Sequence, residues 1–397
     1  MSPSTPLRVA FCHYTADVCG GSDRALFDLV THLPRACFEP VMLLRAGDPM
    51  AERYRAEGMV VEEFRLIPPR RALEWTKLAR FFVNFWPSTL RLARAMRRWN
   101  ADAVHVNTLF NVQGAVAARL ARRPLVWHIR ELVPGSRAAG LMLRLVPLLA
   151  TRAVAISTAV SETLAACGER VQIVFDGIDL EPLEEADGER GRGALGLEAG
   201  QPLVVTVGRI EPWKGQRTLI EAAPAILAAF PEARILIVGG PAVNKPEYAE
   251  GLRQRCEELG VAGRVCFTGI RDDVPDILAA ADVLVLPSAT PEPFGLTVAE
   301  AMAVGCPVVA TAAGGPLDTV VDGETGYLVP PESPDAVAEK VCVLLADPKG
   351  ARAMGDRGRV RVRERFTIER VADEMGMLLE RITGVVGPES IGRLTPR

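Results

Sequence analysis

The sequence predicts an α/β protein built from two Rossmann-like halves of similar size. Three observations carry this. Short apolar, β-branched runs alternate with helical patterns along most of the chain. The alternation pauses once, over a Gly- and charge-rich stretch near residues 181–200. Every residue cluster with chemical potential falls just after one of the apolar runs, where open parallel sheets hold their ligands.

The predicted strands are Leu7–His13, Val41–Leu44, Ala103–Val106 and Leu125–His128 in the first half. Those of the second half are Leu203–Val207, Ile235–Val238, Val265–Phe267, Val283–Leu286 and Val308–Ala310. Segments between them carry spaced Leu, Ala and Val, as in Arg24–Leu33 and Thr218–Ala229, which predicts βαβ units and parallel sheets. The expected domains are 1–183, a linker at 184–200, a second domain at 201–365, and C-terminal helices with a tail over 366–397. The final dozen residues, with two prolines and two glycines, read as a disordered tail.

With 397 residues the chain exceeds what one core holds, and 49% hydrophobic with 24% charged residues is an ordinary globular composition. A net charge of −3 gives no global signal for nucleic acid. Eight scattered cysteines show no Cys-x-x-Cys pair and no zinc spacing, and read as reduced core residues. No basic, then apolar, signal sequence opens the chain, and the longest apolar stretch, Leu141 to Ala155, is broken by Arg144, Pro147 and Arg152. The expected location is the cytoplasm. Asp-x-Asp, Gly-x-Ser-x-Gly and P-loop patterns are absent, which argues against serine hydrolases and P-loop NTPases.

Gly20-Gly21 precedes a helix, where glycines let backbone N–H groups approach an anion; a plain loop capped by Ser22 or Asp23 has the same look. Gly208-Arg209 and Lys214-Gly215 place two cations beside one strand end, which suits a diphosphate, unless Glu211 simply balances them on the surface. Pro287 to Thr311 holds Glu292 and Glu300 around the turn Phe294-Gly295-Leu296. Glu300 has two readings. Thr297 and Glu300 fit a capping box, and the carboxylate equally suits a ribose diol. His128 ends a strand, where a structural or a site role fits; His13 and His105 end others. Arg130 and Glu131 form a local pair or contact substrate, and Asp176-Gly177-Ile178-Asp179 reads as a turn at the domain junction. The segment Arg70–Trp99 is strongly basic, with Glu74 its one acid, and rich in Trp and Phe. It suits an anionic membrane surface or lipid-linked acceptor, and equally an amphipathic helical pair packed on the first domain.

Together these residues resemble the retaining glycosyltransferases of the GT-B fold, in the large family 4 group. The most specific element is Glu292-Pro-Phe-Gly-Leu-Thr-Val-Ala-Glu300, supported by Gly208-Arg209…Lys214-Gly215 in order and by Phe267-Thr-Gly269 followed by Asp273. The resemblance implies two domains facing a central cleft, with a C-terminal helix crossing back to the N-terminal, acceptor-binding domain. It implies that Arg209 and Lys214 hold the diphosphate, Glu300 binds ribose, and Glu292 contacts the sugar. Phe294, Gly295 and Leu296 would offer backbone contacts, and Gly269, Ile270 and Arg271 would lie against the base. Gly20, Gly21 and Gly208 would line the phosphates, with His128 near the sugar. Catalytic roles fall on His128, Arg209, Lys214 and Glu292, with no metal and no cofactor.

The implied reaction moves a hexose-type sugar from a nucleotide-diphosphate sugar, UDP favoured over GDP, to a hydroxyl acceptor. That acceptor belongs to a polysaccharide, a glycolipid or a small metabolite. A nucleotide-sugar epimerase and a non-catalytic nucleotide-sugar binder are the alternatives. Two positions depart from the family pattern: Asp176, where Asn is frequent, and Ser22-Asp23, where a small residue plus Glu is more usual.

Overall fold

The structure is a computed structural model that describes residues 5–14, 20–66, 75–132, 136–242 and 245–384, with 75–82 described as backbone. In chain order the first sheet region comprises β1 (Leu7–Cys12), α1 (Gly21–His32), β2 (Phe38–Arg45), α2 (Ala51–Ala56), β3 (Val60–Phe64), α3 (Trp75–Arg98) and β4 (Ala103–Asn107). It continues through α4 (Val112–Ala121), β5 (Leu125–Ile129), α5 (Arg137–Leu149), β6 (Arg152–Ala155), α6 (Thr158–Thr163) and β7 (Val171–Ile173). The second comprises α7 (Glu181–Glu184), α8 (Gly188–Ala194), β8 (Leu203–Val207), α9 (Gln216–Ala229), β9 (Arg234–Val238), α10 (Pro246–Glu258), β10 (Val265–Gly269) and α11 (Val274–Ala280). It is completed by β11 (Val283–Leu286), α12 (Leu296–Ala303), β12 (Val308–Thr311), α13 (Pro316–Thr319), β13 (Tyr327–Val329), α14 (Pro334–Ala346) and α15 (Pro348–Arg365), and the last helix is α16 (Ile368–Thr383).

Two compact units result. Unit 1 is Met1–Gly177 with Ile368–Arg397, and unit 2 is Ile178–Thr367. Unit 1 holds a seven-stranded sheet in the order β3-β2-β1-β4-β5-β6-β7, and unit 2 a six-stranded sheet in the order β10-β9-β8-β11-β12-β13. Every named pairing is parallel, so each strand is followed by a crossover that covers the sheet. The central strands are buried on both faces, which is why they read as unbroken Val, Leu and Ile runs. In unit 1 the core gathers β-strand residues such as Val9, Phe11 and Met42 with Leu26 and Leu29 of α1 and Val371, Met375 and Leu379 of α16. The last helix is therefore a core element of unit 1, packed on α1.

The expected linker is corrected. Residues 184–200 contain α8, which packs on α11 of unit 2. Its glycines serve close packing rather than flexibility. A Cβ on Gly191 would stand 2.3 Å from the Asp276 carbonyl oxygen, and one on Gly188 would stand 2.7 Å from that of Ala279. Arg190 donates through Nε to Asp276, and Asp187 caps the helix by accepting from the amides of Glu189 and Arg190. The division falls instead between Gly177 and Ile178 and again between Thr367 and Ile368. Those two crossings run side by side, with the Ile178 amide donating to the Phe366 carbonyl at 2.9 Å.

Of the basic aromatic segment, Arg70–Glu74 lies outside the described residues, and so does the tail from 385 on. The described remainder is one helix with Pro87 inside it, in place of the expected helical pair.

Candidate active site

In unit 2 the strand order reverses between β8 and β11, and the loops after these neighbours meet at their carboxyl ends. After β8 the chain turns through Gly208 and Arg209 into a single 3-10 turn, Pro212–Lys214, and Gly215 then opens α9. Gly215 has φ 67°, and a Cβ there would lie 1.9 Å from the carbonyl oxygen of Pro287, at the end of β11. Only glycine lets the two loops close on each other.

That closure brings Lys214 onto Glu292. The ammonium donates to both carboxylate oxygens at 2.9 Å each. Ser288 Oγ donates to Oε2 of the same carboxylate at 2.9 Å. Glu292 keeps only 8% of its side-chain surface exposed and Lys214 17%, so the pair is largely removed from water. Lys214 Nζ also lies 4.2 Å from the centroid of the Trp213 ring, which holds the cation from its other side. Glu292 is fixed from behind as well. Its amide donates to Ala313 O and its carbonyl accepts from Gly315 N at 2.8 Å. Gly314 has φ 79° and sits so close that a Cβ would be 2.1 Å from the Glu292 carbonyl oxygen.

Arg209 is half-exposed and paired with Glu211 at 3.2 Å, while Gln216 donates its side-chain amide to the Arg209 carbonyl. Arg209 and Lys214 thus share one loop, as the spacing predicted, but each has its own carboxylate. Gly295, at φ 90°, is the N-cap of α12. This overturns the capping-box reading: Thr297 lies inside the helix, so Glu300 does not close a box with it. Glu300 is a buried carboxylate on α12, 7% exposed. Phe294 is buried beneath the turn and packs edge-on against Phe366 at 5.8 Å between ring centroids. At the end of β10 the Gly269 carbonyl accepts the Gly239 amide, and just beyond it Ile270 stands 78% exposed and Arg271 donates through Nε to Asp273 at 2.7 Å.

In unit 1 the sites fall differently from expectation. His128 lies on β5 with no exposed surface, its Nδ1 3.1 Å from Nε2 of the equally buried His105. Burial, and then the nearby Arg130 charge, holds His128 well below its usual range, and burial pushes His105 down to about 3. Both are neutral interior rings, so His128 lines no open surface. The residue whose ring links to the glycine loop is His13, which directly follows β1. His13 Nε2 donates to Asp23 Oδ1 at 2.6 Å, and Asp23 Oδ2 accepts the Gly20 amide at 2.6 Å. Gly20 is the N-cap of α1 and Gly21 its first residue. His13 Nδ1 accepts from Asn107 Nδ2 at 3.1 Å, Asn107 Oδ1 accepts from Arg130 Nε at 2.7 Å, and the Arg130 guanidinium reaches Asp176. Burial pushes the Asp176 carboxyl up, against the pull of Arg130.

Sequence reasoning missed Ser288, Gly314-Gly315 and this buried chain from Asp23 to Asp176. A Ser two residues after one β-run and a Gly-Gly pair three residues after the next were the available signals. Among the described residues no group of three His, Cys, Asp or Glu side chains is placed to hold a metal ion.

Comparison with known proteins agrees with this architecture. The family model for glycosyl transferases group 1 matches residues 188–361, and that for glycosyltransferase family 4 matches residues 19–182. A D-inositol 3-phosphate glycosyltransferase of Corynebacterium urealyticum is 37% identical over 194 residues, covering 47% of this chain and 46% of its own. That of Nocardia farcinica is 34% identical over 242 residues, covering 59% and 53%. The chain spans about half the length of the curated relatives it matches. Among solved structures, Anabaena HepE in complex with UDP-glucose aligns at TM-score 0.81 and 26% identity, covering 94% of this chain and 100% of its own. Sucrose-phosphate synthase from Thermosynechococcus elongatus aligns at 0.77 and 26%, covering 95% and 99%. Two parallel-sheet units, the strand-end loops of unit 2 and two adjoining family models that together span most of the chain place this protein among the GT-B glycosyltransferases of family 4, group 1.

Proposed function

We propose that the chain is a retaining, metal-independent hexosyltransferase acting in the cytoplasm. It moves a hexose-type sugar from a nucleotide-diphosphate sugar to a hydroxyl acceptor of a polysaccharide, glycolipid or small metabolite. The observation that carries the reading is the Lys214–Glu292 pair, set at the switch point of unit 2 and held by Ser288 and the Gly314-Gly315 backbone. UDP is the favoured nucleotide, because a solved relative at 26% identity binds UDP-glucose.

Departure of a nucleoside diphosphate builds negative charge on its oxygens. Fixed cations in a partly dry site stabilise that charge more in the transition state than before it. Lys214 is already desolvated and oriented, so little reorganisation accompanies the reaction. It also separates the buried Glu292 carboxylate from the incoming phosphates, which would otherwise repel it. Arg209, half-exposed beside Glu211, supplies the second cation. With Lys214 on both of its oxygens, Glu292 is a poor nucleophile. It is suited to accept hydrogen bonds from sugar hydroxyls, which favours a front-face displacement, with the leaving phosphate taking the acceptor proton. Glu300 would accept from the ribose hydroxyls, and Gly269 to Arg271 would lie against the base. In this reading His128, buried on β5, has no direct contact with the sugar.

Thermal-shift titration with UDP, GDP, ADP and TDP tests the donor. A ligand at a hundred times its Kd stabilises by about 2.7 kcal/mol, a rise of roughly 5–10 °C for a body the size of unit 2. UDP is expected to give the largest rise, and Lys214→Ala to abolish most of it. With donor and acceptor in hand, Lys214→Ala or Arg209→Ala is expected to lower kcat about a hundredfold or more. Equal stabilisation of wild type and Lys214→Ala by every nucleotide sinks the assignment.

A further inference from the structure

One face of unit 1 is unlike the rest of this mildly acidic chain. α3 packs on α4, and α4 on α5. These three helices carry one lysine, eight arginines and no acidic residue, although the chain as a whole has net charge −3. The same helices hold a run of the molecule's exposed large apolar side chains. On α3 they are Val83 at 72%, Trp86 at 58% and Leu90 at 41%; on α5 they are Leu141 at 63% and Leu148 at 70%. Val83, Trp86 and Leu90 are spaced i, i+3 and i+7 on one stripe, which Arg94 and Arg97 continue at i+11 and i+14. The opposite stripe of α3, with Leu92, Ala93, Ala95 and Met96, is buried in unit 1. The exposed leucines and tryptophan are therefore not needed for the fold.

Alongside this stripe, between α3 and the edge strand β3, lies a cavity of about 470 Å³. Arg65, Arg91, Arg94 and Arg98 line it together with Glu62 and Glu63. Both carboxylates are already engaged, Glu62 with Arg98 and the Trp99 indole, and Glu63 with Arg55 and the Gly47 amide. Arg65, Arg91 and Arg94 are left facing the cavity with no carboxylate of their own among the described residues.

We propose that the α3–α4–α5 face of unit 1 docks on an anionic bilayer surface. The cavity beside β3 takes a phospholipid headgroup phosphate, and Val83, Trp86 and Leu90 enter the acyl boundary. The chemistry of this face favours this partner over the alternatives. A protein partner or a second copy of the chain would need a matching acidic face, whereas a bilayer of anionic lipid supplies negative charge and apolar depth side by side. No described helix is long and apolar enough to cross a membrane, so the contact lies in the plane of the interface. This proposal is independent of the glycosyltransferase reading. It concerns a different face and is read out by binding alone.

The test is co-sedimentation of the full chain with vesicles of phosphatidylcholine alone, and of phosphatidylcholine mixed with phosphatidylglycerol. Wild type is expected to bind the anionic vesicles, weakly or not at all the neutral ones, and to be released by salt. Arg91→Glu/Arg94→Glu should weaken the partition coefficient by roughly thirtyfold or more, since each arginine near the surface is worth about fivefold. Val83→Ser/Trp86→Ser/Leu90→Ser, whose side chains are exposed, should fold normally by circular dichroism and also bind less. The proposal is overturned if wild type ignores anionic vesicles, or if either variant binds them as wild type does. It is likewise overturned if inorganic phosphate alone occupies the cavity by calorimetry while vesicles do not bind, or if the face instead mediates dimerisation that Arg91→Glu/Arg94→Glu abolishes.

Discussion

Lys214→Ala isolates the energetics of the candidate site without any ligand. In the native protein the ammonium is 2.9 Å from both Glu292 oxygens. At an effective dielectric of about 20, the gross attraction at that distance is about 6 kcal/mol, most of it offset by taking both charges out of water. Removing the lysine leaves a carboxylate 8% exposed with Ser288 as its remaining side-chain donor. Breaking a buried pair in this way costs about 3–5 kcal/mol, and the lower figure applies because Lys214 sits near the surface and water can enter its place. A loss of about 3 kcal/mol lowers Tm by roughly 6–12 °C for a body the size of unit 2. Glu292→Gln placed in the Lys214→Ala background removes the stranded charge and should regain about half of that loss. The assay is a double-mutant cycle by urea unfolding, with an expected coupling of about 2–3 kcal/mol that changes little with salt. An additive cycle, or Lys214→Ala within about 0.5 kcal/mol of wild type, would show a solvated carboxylate and refute the desolvated-pair argument behind the proposed catalysis.

Three further outcomes follow from the geometry. His105 and His128 titrate lower in the folded than in the unfolded chain, so the unfolded chain binds more protons as pH falls below about 6.5. Their stabilisation is complete above that pH and is lost on acidification at up to about 1.4 kcal/mol per pH unit for each ring. Urea midpoints between pH 7 and pH 5 should therefore fall more steeply for wild type than for His105→Gln/His128→Gln; the buried Asp176 is common to both proteins and cancels. Gly314→Ala combines an unfavourable φ with a Cβ 2.1 Å from the Glu292 carbonyl oxygen, and should lose the UDP-induced thermal shift while the circular dichroism spectrum is kept. Gly191→Val should push α8 off α11, cost about 2 kcal/mol or more, and open a trypsin site at Arg190 that wild type resists.

Much of this fold was legible because its central strands are two-face buried. Runs such as Val283–Leu286 have no polar interruption and can be little else. Of the four edge strands, β10 was legible, while β3, β7 and β13 were not, nor was the interior β6. β3 carries Glu62 and Glu63 on a half-exposed ribbon, and β13 is only three residues long, so neither shows an apolar run. The linker reading failed because Gly188 and Gly191 look the same in a sequence whether a glycine is there for freedom or for contact; only the carbonyls of Asp276 and Ala279 decide. At the site, spacing revealed Lys214 and Glu292 separately. Their bond depends on Gly215 letting the β8 and β11 loops touch, a contact across 78 residues that no local pattern encodes. The burial of His128 was not legible for a related reason. Strand position fixes that a side chain is near a strand end, but not that His105 closes over it.

The discontinuity of unit 1 has a consequence for how the polypeptide emerges during synthesis. Its core includes Ile368, Val371, Ala372, Met375, Leu378 and Leu379, all from α16. The first body to begin is therefore the last to be finished. Unit 2, Ile178–Thr367, is continuous and can close its core while unit 1 still lacks a helix. At about 5–20 residues per second the nascent N-terminal body waits roughly 10–40 s with the apolar groove for α16 uncovered. During that interval chaperones, rather than the native chain, must shield it, and a ribosome stalled inside unit 2 would leave an aggregation-prone fragment even though every strand of the first sheet had already been made.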